Sequence, residues 1–189
     1  MAVSLETLPG IICLADFGGD YNRFIDAVFE VFERDFIKHK AHFGRFQLHY
    51  RYHPAYQDRP YAFYHMTHTG LDEDNRLPDL RRCERMPWAR LTIEEAESLG
   101  LKFWEQDRRN GHRVCIWLEV DDGENYFVVL YVHKAYVRLL TAFYGDYPNY
   151  AEKRQKEYNE WKKKVNRDFT PDELIRDIMA RAAAEEEGT

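Results

Sequence analysis

The sequence predicts an α+β fold, an antiparallel β-sheet meander of about four to six strands flanked by N- and C-terminal helices. Three observations carry this. Extended runs are separated by Asn110-Gly111 and Asp122-Gly123, dipeptides that close tight hairpins because both residues tolerate a positive φ. Ahead of them, Phe24, Ile25, Val28, Phe29, Phe32 and Phe36 recur at helical spacing. Behind them lies a charged segment with a Thr-Pro-Asp-Glu helix start at Thr170. The 189 residues suit a single domain: a helix over 20–37, a sheet core with short helices over 43–144, and helices over 148–189.

Each element has its own signal. Asp20 is a good N-cap for the first helix. From Phe43 to His53, Phe46, Leu48, Tyr50 and Tyr52 alternate with Arg45, Gln47, His49, Arg51 and His53, a half-buried strand pattern. Pro54 and Pro60 bracket a loop, and Tyr61 to Thr67 reads as a second extended run ended by Gly70. Leu71 to Arg76 reads as an exposed acidic loop. Pro78 fits a first helical turn with Asp79 at its positive end, and Pro87 limits that helix to about two turns. Thr92-Ile93-Glu94-Glu95 fits a capping box for another short helix, closed by Gly100.

The meander follows as Leu101 to Arg108, Arg113 to Val120, Tyr126 to Val132 and Tyr136 to Tyr144. Ala151 to Asn166 reads as a charged helix anchored by Tyr158 and Trp161. The last helix carries Leu174, Ile175 and Ile178 on one face, then a run of Ala and Glu expected to fray.

Composition narrows the function classes. At 44% hydrophobic and 32% charged the chain is globular, and its 15% aromatic content is mostly core material. Cys13, Cys83 and Cys115 form no CxxC pair, which argues against a disulfide framework or a structural zinc. Met1 to Phe17 lacks the basic and apolar regions of a signal peptide, and no run approaches the roughly 18 apolar residues of a membrane span. The cytoplasm is the expected compartment. No P-loop, GxGxxG or GxSxG occurs, so neither a nucleotide cofactor nor serine hydrolysis has support. Net charge is −6, yet the segment from Lys38 to Arg113 holds 14 Lys and Arg against 11 Asp and Glu, and seven of the eight His.

Three constellations could carry chemistry. His65 and His68 invite a metal reading, but three positions apart on a strand they point to opposite faces. His49 and His53 share a face about 13 Å apart, and no HExxH is present, so no metal site is expected. Arg81, Arg82 and Arg85 are helical neighbours, followed by Trp88 and Arg90. Guanidinium forks fit phosphate oxygens. Pairing with Glu84, Asp79 or Asp72 to Asp74 would explain the arginines equally. On the meander, Lys102, Trp104, Arg113 and Trp117 fall on one side, opposite Val114, Ile116, Leu118 and Val120. That side is either a stacking platform for bases or a second hydrophobic layer under a helix. Thr141 and Tyr144 have opposite strand parity, so both reach one site only if a bulge or the strand end turns one of them.

The order Phe63-Tyr64-His65-Met66-Thr67-His68, Asp79 to Trp88, Leu101 to Trp104, Arg113 to Leu118 and Leu139 to Tyr144 resembles phage- and mobile-element-borne toxin nucleases of the barnase–EndoU–colicin–RelE-like (BECR) fold. The resemblance covers about Phe43 to Tyr144. It implies an endoribonuclease that needs neither metal nor cofactor, in which the 2′-hydroxyl attacks the adjacent phosphate. In that family reading His65 or His68 is the acid or base, and Arg81, Arg82 or Arg85 with Arg113 stabilise the phosphorane. Thr141 and Tyr144 then position the phosphate or donate a proton, and Trp88, Arg90, Lys102, Trp104 and Trp117 contact RNA. An antitoxin or immunity protein is the implied partner. A non-catalytic RNA- or protein-binding module of a phage or mobile element is the alternative.

Overall fold

The computed structural model describes residues 2–70, 72–106, 111–145 and 149–187. Asn110 of the first hairpin turn, Arg108 at the end of its strand and Leu71 of the acidic loop lie outside them. The fold is α+β.

Helix α1, Tyr21–Phe32, begins where expected: the Asp20 carboxylate accepts from the backbone N–H of Asn22 and Arg23 at 3.0 and 3.2 Å. Phe24, Ile25, Val28 and Phe32 are buried along one face. A π-helical turn, Glu33–Lys38, carries the chain to β1, His42–Phe43, and β2, Phe46–Tyr50. The predicted strand over 43–53 is thus two short strands joined at Gly44, where φ is +59°. A Cβ there would sit 2.2 Å from Asp172, so the turn requires glycine.

Tyr61–Thr67 is a helix, α2, and not the extended run expected from its aromatic content. A two-stranded ribbon follows, β3 (His68–Thr69) with β4 (Leu77–Pro78). Helix α3, Leu80–Glu84, is N-capped by Asp79, so Pro78 precedes the helix on a strand. Pro87 starts the next helix, α4 (Met86–Glu94), where its missing N–H costs nothing. The expected capping box at Thr92 does not form. Thr92 lies buried inside α4 and donates to the carbonyl of Trp88 at 2.8 Å.

The meander is present as β5 (Lys102–Gln106), β6 (His112–Glu119), β7 (Asn125–His133) and β8 (Tyr136–Tyr144), paired antiparallel in sequence order. The six-stranded sheet runs β1-β2-β8-β7-β6-β5 and is mixed, because β2 joins β8 in parallel, Leu48 opposite Val137 and Tyr50 opposite Leu139. The sheet curls until Phe43 of β1 meets Phe103 of β5 edge-on, ring centroids 5.5 Å apart.

Val114, Ile116, Leu118, Val128 and Leu130 face one core, shared with α1, α4 and α6 (Pro171–Glu187). The capping box of α6 forms as read, Thr170 and Glu173 exchanging bonds of 2.9 and 3.2 Å. Its Ala and Glu run stays helical, held where Glu185 meets His112 and Glu186 meets Lys134. The opposite side of the meander is covered by α5, Tyr150–Val165, with Tyr158 and Trp161 packed on it. Among the described residues no helix is long and apolar enough to cross a membrane.

Candidate functional site

β2 pairs with β8 only over Val137 to Leu139. Beyond that, α2 and α3 lie along the rest of β8. A bulge near Leu140 shifts the register, so that Thr141 pairs with Val129 and Tyr144 with Tyr126. The His helix, the Arg helix and the last strand therefore do meet, but mainly through the backbone of the His helix. Thr141 donates its hydroxyl to the carbonyl of His65 at 3.0 Å. Arg82 reaches the carbonyls of His65 and His68 at 3.5 and 3.4 Å and pairs with Asp79 at 3.2 Å. The end of a helix leaves carbonyls without partners, and these two side chains supply donors there.

The other arginines are committed elsewhere. Arg85 is 7% exposed and makes a two-bonded pair with Glu124, both contacts 2.6 Å, plus a 3.2 Å contact with Glu84. Burial pulls its pKa down, and Glu124 with Glu84 together outweigh that and raise it. Arg81 and Arg85 stack over Tyr144 at 5.3 and 4.5 Å. Trp88 is buried and donates to the carbonyl of Pro9. Arg90 pairs with Glu94 at 2.8 Å and bonds the carbonyl of His39.

The aromatic side of the meander is a second hydrophobic layer. Trp104 is fully buried beneath Tyr158 of α5, and Trp117 is 3% exposed. Lys102 bridges to Glu119 at 2.6 Å and Gln155 at 2.5 Å. Arg113 stands on the same side opposite Tyr131, its Nε buried without a partner. A base cannot reach these rings while α5 is in place, so they form no stacking platform.

Of the predicted residues, His68 lines one pocket, and Trp117, with 3% of its surface exposed, borders another beside α5. Because Tyr61–Thr67 is helical, His65 stands one turn after Tyr61, and its Nε2 contacts the Tyr61 hydroxyl at 2.7 Å and Glu73 at 3.1 Å. Tyr61 also bonds Glu73, and Arg76 reaches the other carboxylate oxygen at 2.9 Å. These donors, Tyr61 first, hold the Glu73 carboxyl down at about 2. From the sequence, Glu73 reads only as part of an exposed acidic loop. Burial lowers the pKa of His65 against the pull of Glu73.

His68 follows the helix. Thr67 uses its one hydroxyl hydrogen on the carbonyl of Phe63 at 2.8 Å. Its oxygen therefore accepts from His68 Nδ1–H at 2.9 Å, which makes Nε2 the basic nitrogen of a neutral ring. Burial lowers the His68 pKa and keeps that ring neutral near pH 7. The ring also bonds the backbone of Tyr64, which works against the effect of burial. His68 lines a pocket of about 310 Å³ together with Tyr21, Tyr56, Arg59, Tyr64 and Arg76. Burial pushes the Tyr21 phenol up to about 12, so it stays protonated.

Tyr56 and Arg59 reach this pocket from a tight hairpin, exchanging backbone bonds of 3.0 Å each way. Its two central residues, Gln57 and Asp58, have φ of 48° and 60°. A two-residue hairpin turn of this kind demands positive φ at both places, which non-glycine residues adopt at a cost. Arg59 also pairs with Asp26 and lies over Phe29 and Phe63 at 5.1 and 5.5 Å. Sequence reading missed Tyr56, Arg59, Arg76 and Tyr21; the one signal was the tyrosine-dense stretch from Tyr50 to Tyr64. Among the described residues no cluster of three His, Cys, Asp or Glu is arranged to hold a metal ion.

Comparison with family models, with curated proteins and with solved structures found no match to the chain.

Proposed function

We propose that the chain is a toxin-type endoribonuclease that binds a phosphodiester in the His68 pocket and cleaves RNA without a metal. The observation that carries this reading is the neutral His68 imidazole in one pocket with the Arg59 and Arg76 guanidinium groups and the protonated phenol of Tyr21. In the reaction His68 Nε2 takes the 2′-hydroxyl proton, and the 2′-oxygen attacks phosphorus. The bond from phosphorus to O5′ breaks, and Tyr21 or the newly protonated His68 returns a proton to O5′. The products are a 2′,3′-cyclic phosphate and a 5′-hydroxyl. Arg59 and Arg76 offset the charge that grows on the phosphoryl oxygens.

This cast differs from the one the BECR resemblance implies. His68 is kept, and the cations come from the hairpin and from Arg76 in place of Arg81, Arg85 and Arg113. The strained turn that delivers Tyr56 and Arg59 supports a working site, because such strain concentrates where function holds it. The reaction belongs to the cytoplasm, and an antitoxin or immunity protein that fills the pocket is the expected partner.

The test is incubation of the full chain with total RNA in EDTA, alongside His68→Ala and Arg76→Met, with thermal melts of each variant. Cleavage that survives EDTA and falls at least a hundredfold in a folded His68→Ala protein supports the reading. Binding without cleavage leaves a non-catalytic RNA-binding module. Cleavage untouched by His68→Ala removes His68 from the chemistry.

A further inference from the structure

The His68 pocket has a neighbour. The rings of Tyr56 and Tyr64, 4.4 Å apart and tilted by 33°, form a wall common to it and to a wider pocket of about 610 Å³. Arg51, Pro54, Tyr61 and Glu73 complete the second pocket. Its surfaces are flat, made of tyrosine rings and the Arg51 guanidinium, which itself stacks over Tyr61 at 4.3 Å. Flat aromatic and guanidinium surfaces receive planar rings well, and nucleobases stack on them whatever their identity.

Glu73 adds selectivity. Its Oε2 already meets Tyr61 and His65, and its Oε1 meets Arg76. A carboxylate offers about four acceptor positions, so one remains, on Oε1. An ionised carboxylate accepts hydrogen bonds and donates none. It can take one N–H of an exocyclic amino group and repels a carbonyl at the same place.

We infer that this second pocket is a nucleobase subsite, which stacks the base on the exposed ring of Tyr56, itself backed by the buried Tyr64, and receives its exocyclic amino group at Glu73. The inference rests on the reading of the His68 pocket as the phosphate site. The ligand class that follows is a nucleotide bearing cytosine, adenine or guanine, with uracil disfavoured. The phosphate lies on the far side of the tyrosine wall.

Equilibrium dialysis of the full chain against CMP, UMP and ribose 5-phosphate tests it. CMP should bind about tenfold more tightly than UMP, in line with one carboxylate contact to a base amino group. Arg51→Ala, a residue of the second pocket alone, should reduce CMP to the level of ribose 5-phosphate without changing ribose 5-phosphate itself. Glu73→Gln should abolish the difference between CMP and UMP, because an amide both donates and accepts. Equal binding of all three ligands to the unaltered chain overturns the base subsite and leaves the phosphate reading standing. Failure of all three to bind overturns both.

Discussion

Thr141 donates its hydroxyl to the carbonyl oxygen of His65 across 76 positions of sequence. With Arg82 it ties off the C-terminal end of a seven-residue helix that is too short to be stable alone. The two residues expected to act on substrate thus act on the helix that carries the histidines.

Thr141→Val keeps the shape of the side chain and removes the donor. It should cost about 1 kcal/mol, the usual net worth of such a bond. Urea denaturation measures this, and RNA cleavage per folded molecule should change less than threefold. A loss of cleavage beyond tenfold without loss of stability would return Thr141 to the chemistry.

Arg85 and Glu124 form a pair that neither can leave cheaply. Arg85→Ala strands a half-buried carboxylate and should destabilise by about 3 kcal/mol, the low end for a buried pair. Arg85→Met with Glu124→Leu should recover most of that loss in guanidinium chloride titrations. If Arg85 instead served as an anion site, the double variant would stay folded and lose phosphate binding.

Acid should weaken the fold in two stages. Burial lowers the pKa of His65 and His68 from 6.5, so the unfolded chain binds more protons just below that value. Their contribution is complete above pH 6.5 and declines as pH falls beneath it. The Glu73 carboxyl, held at about 2 against 4.5, contributes stability above pH 4.5 that is lost as pH drops towards 2. Urea midpoints at pH 8, 6, 4.5 and 3 should fall at each step, and Glu73→Gln should flatten the last. A midpoint constant between pH 8 and 5 contradicts the burial of the two rings.

Gln57→Asn combined with Asp58→Gly places the preferred hairpin pair in a turn already built for it. Relief of positive-φ strain should raise stability by about 1 kcal/mol. Calorimetry should show a higher melting temperature, with CMP binding unchanged because Tyr56 and Arg59 keep their backbone pairing.

The meander was legible because its turns carry their own chemistry and its strands are apolar, β-branched and aromatic runs of strand length. Asp20 and Thr170 were legible as caps for the same reason: a side-chain oxygen next to free N–H groups is a local matter. Tyr61 to Thr67 was not. Its aromatic residues favour extended chain locally, and the helix exists because Thr141 and Arg82, far along the sequence, complete its end. Thr92 misled in the opposite way, since a cap pattern means nothing when Pro87 has already started the helix one turn earlier. The indole side of β5 and β6 was read correctly as one face. Whether solvent or α5 lay over it depended on a helix with only two apolar anchors in the sequence.

The parallel pairing of β2 with β8 has a consequence for biosynthesis. Chains emerge from the ribosome N-terminus first, so Phe46 to Tyr50 and the histidine helix leave the exit tunnel long before Val137 to Tyr144. The parallel register and the tie on the His65 carbonyl both wait for that last strand. Until it arrives, the histidine helix lacks the Thr141 bond at its C-terminal end, while Tyr61, Glu73 and Thr67 already hold the two imidazoles. A nascent chain therefore closes the sheet edge beside the histidine helix only when its last strand has left the ribosome.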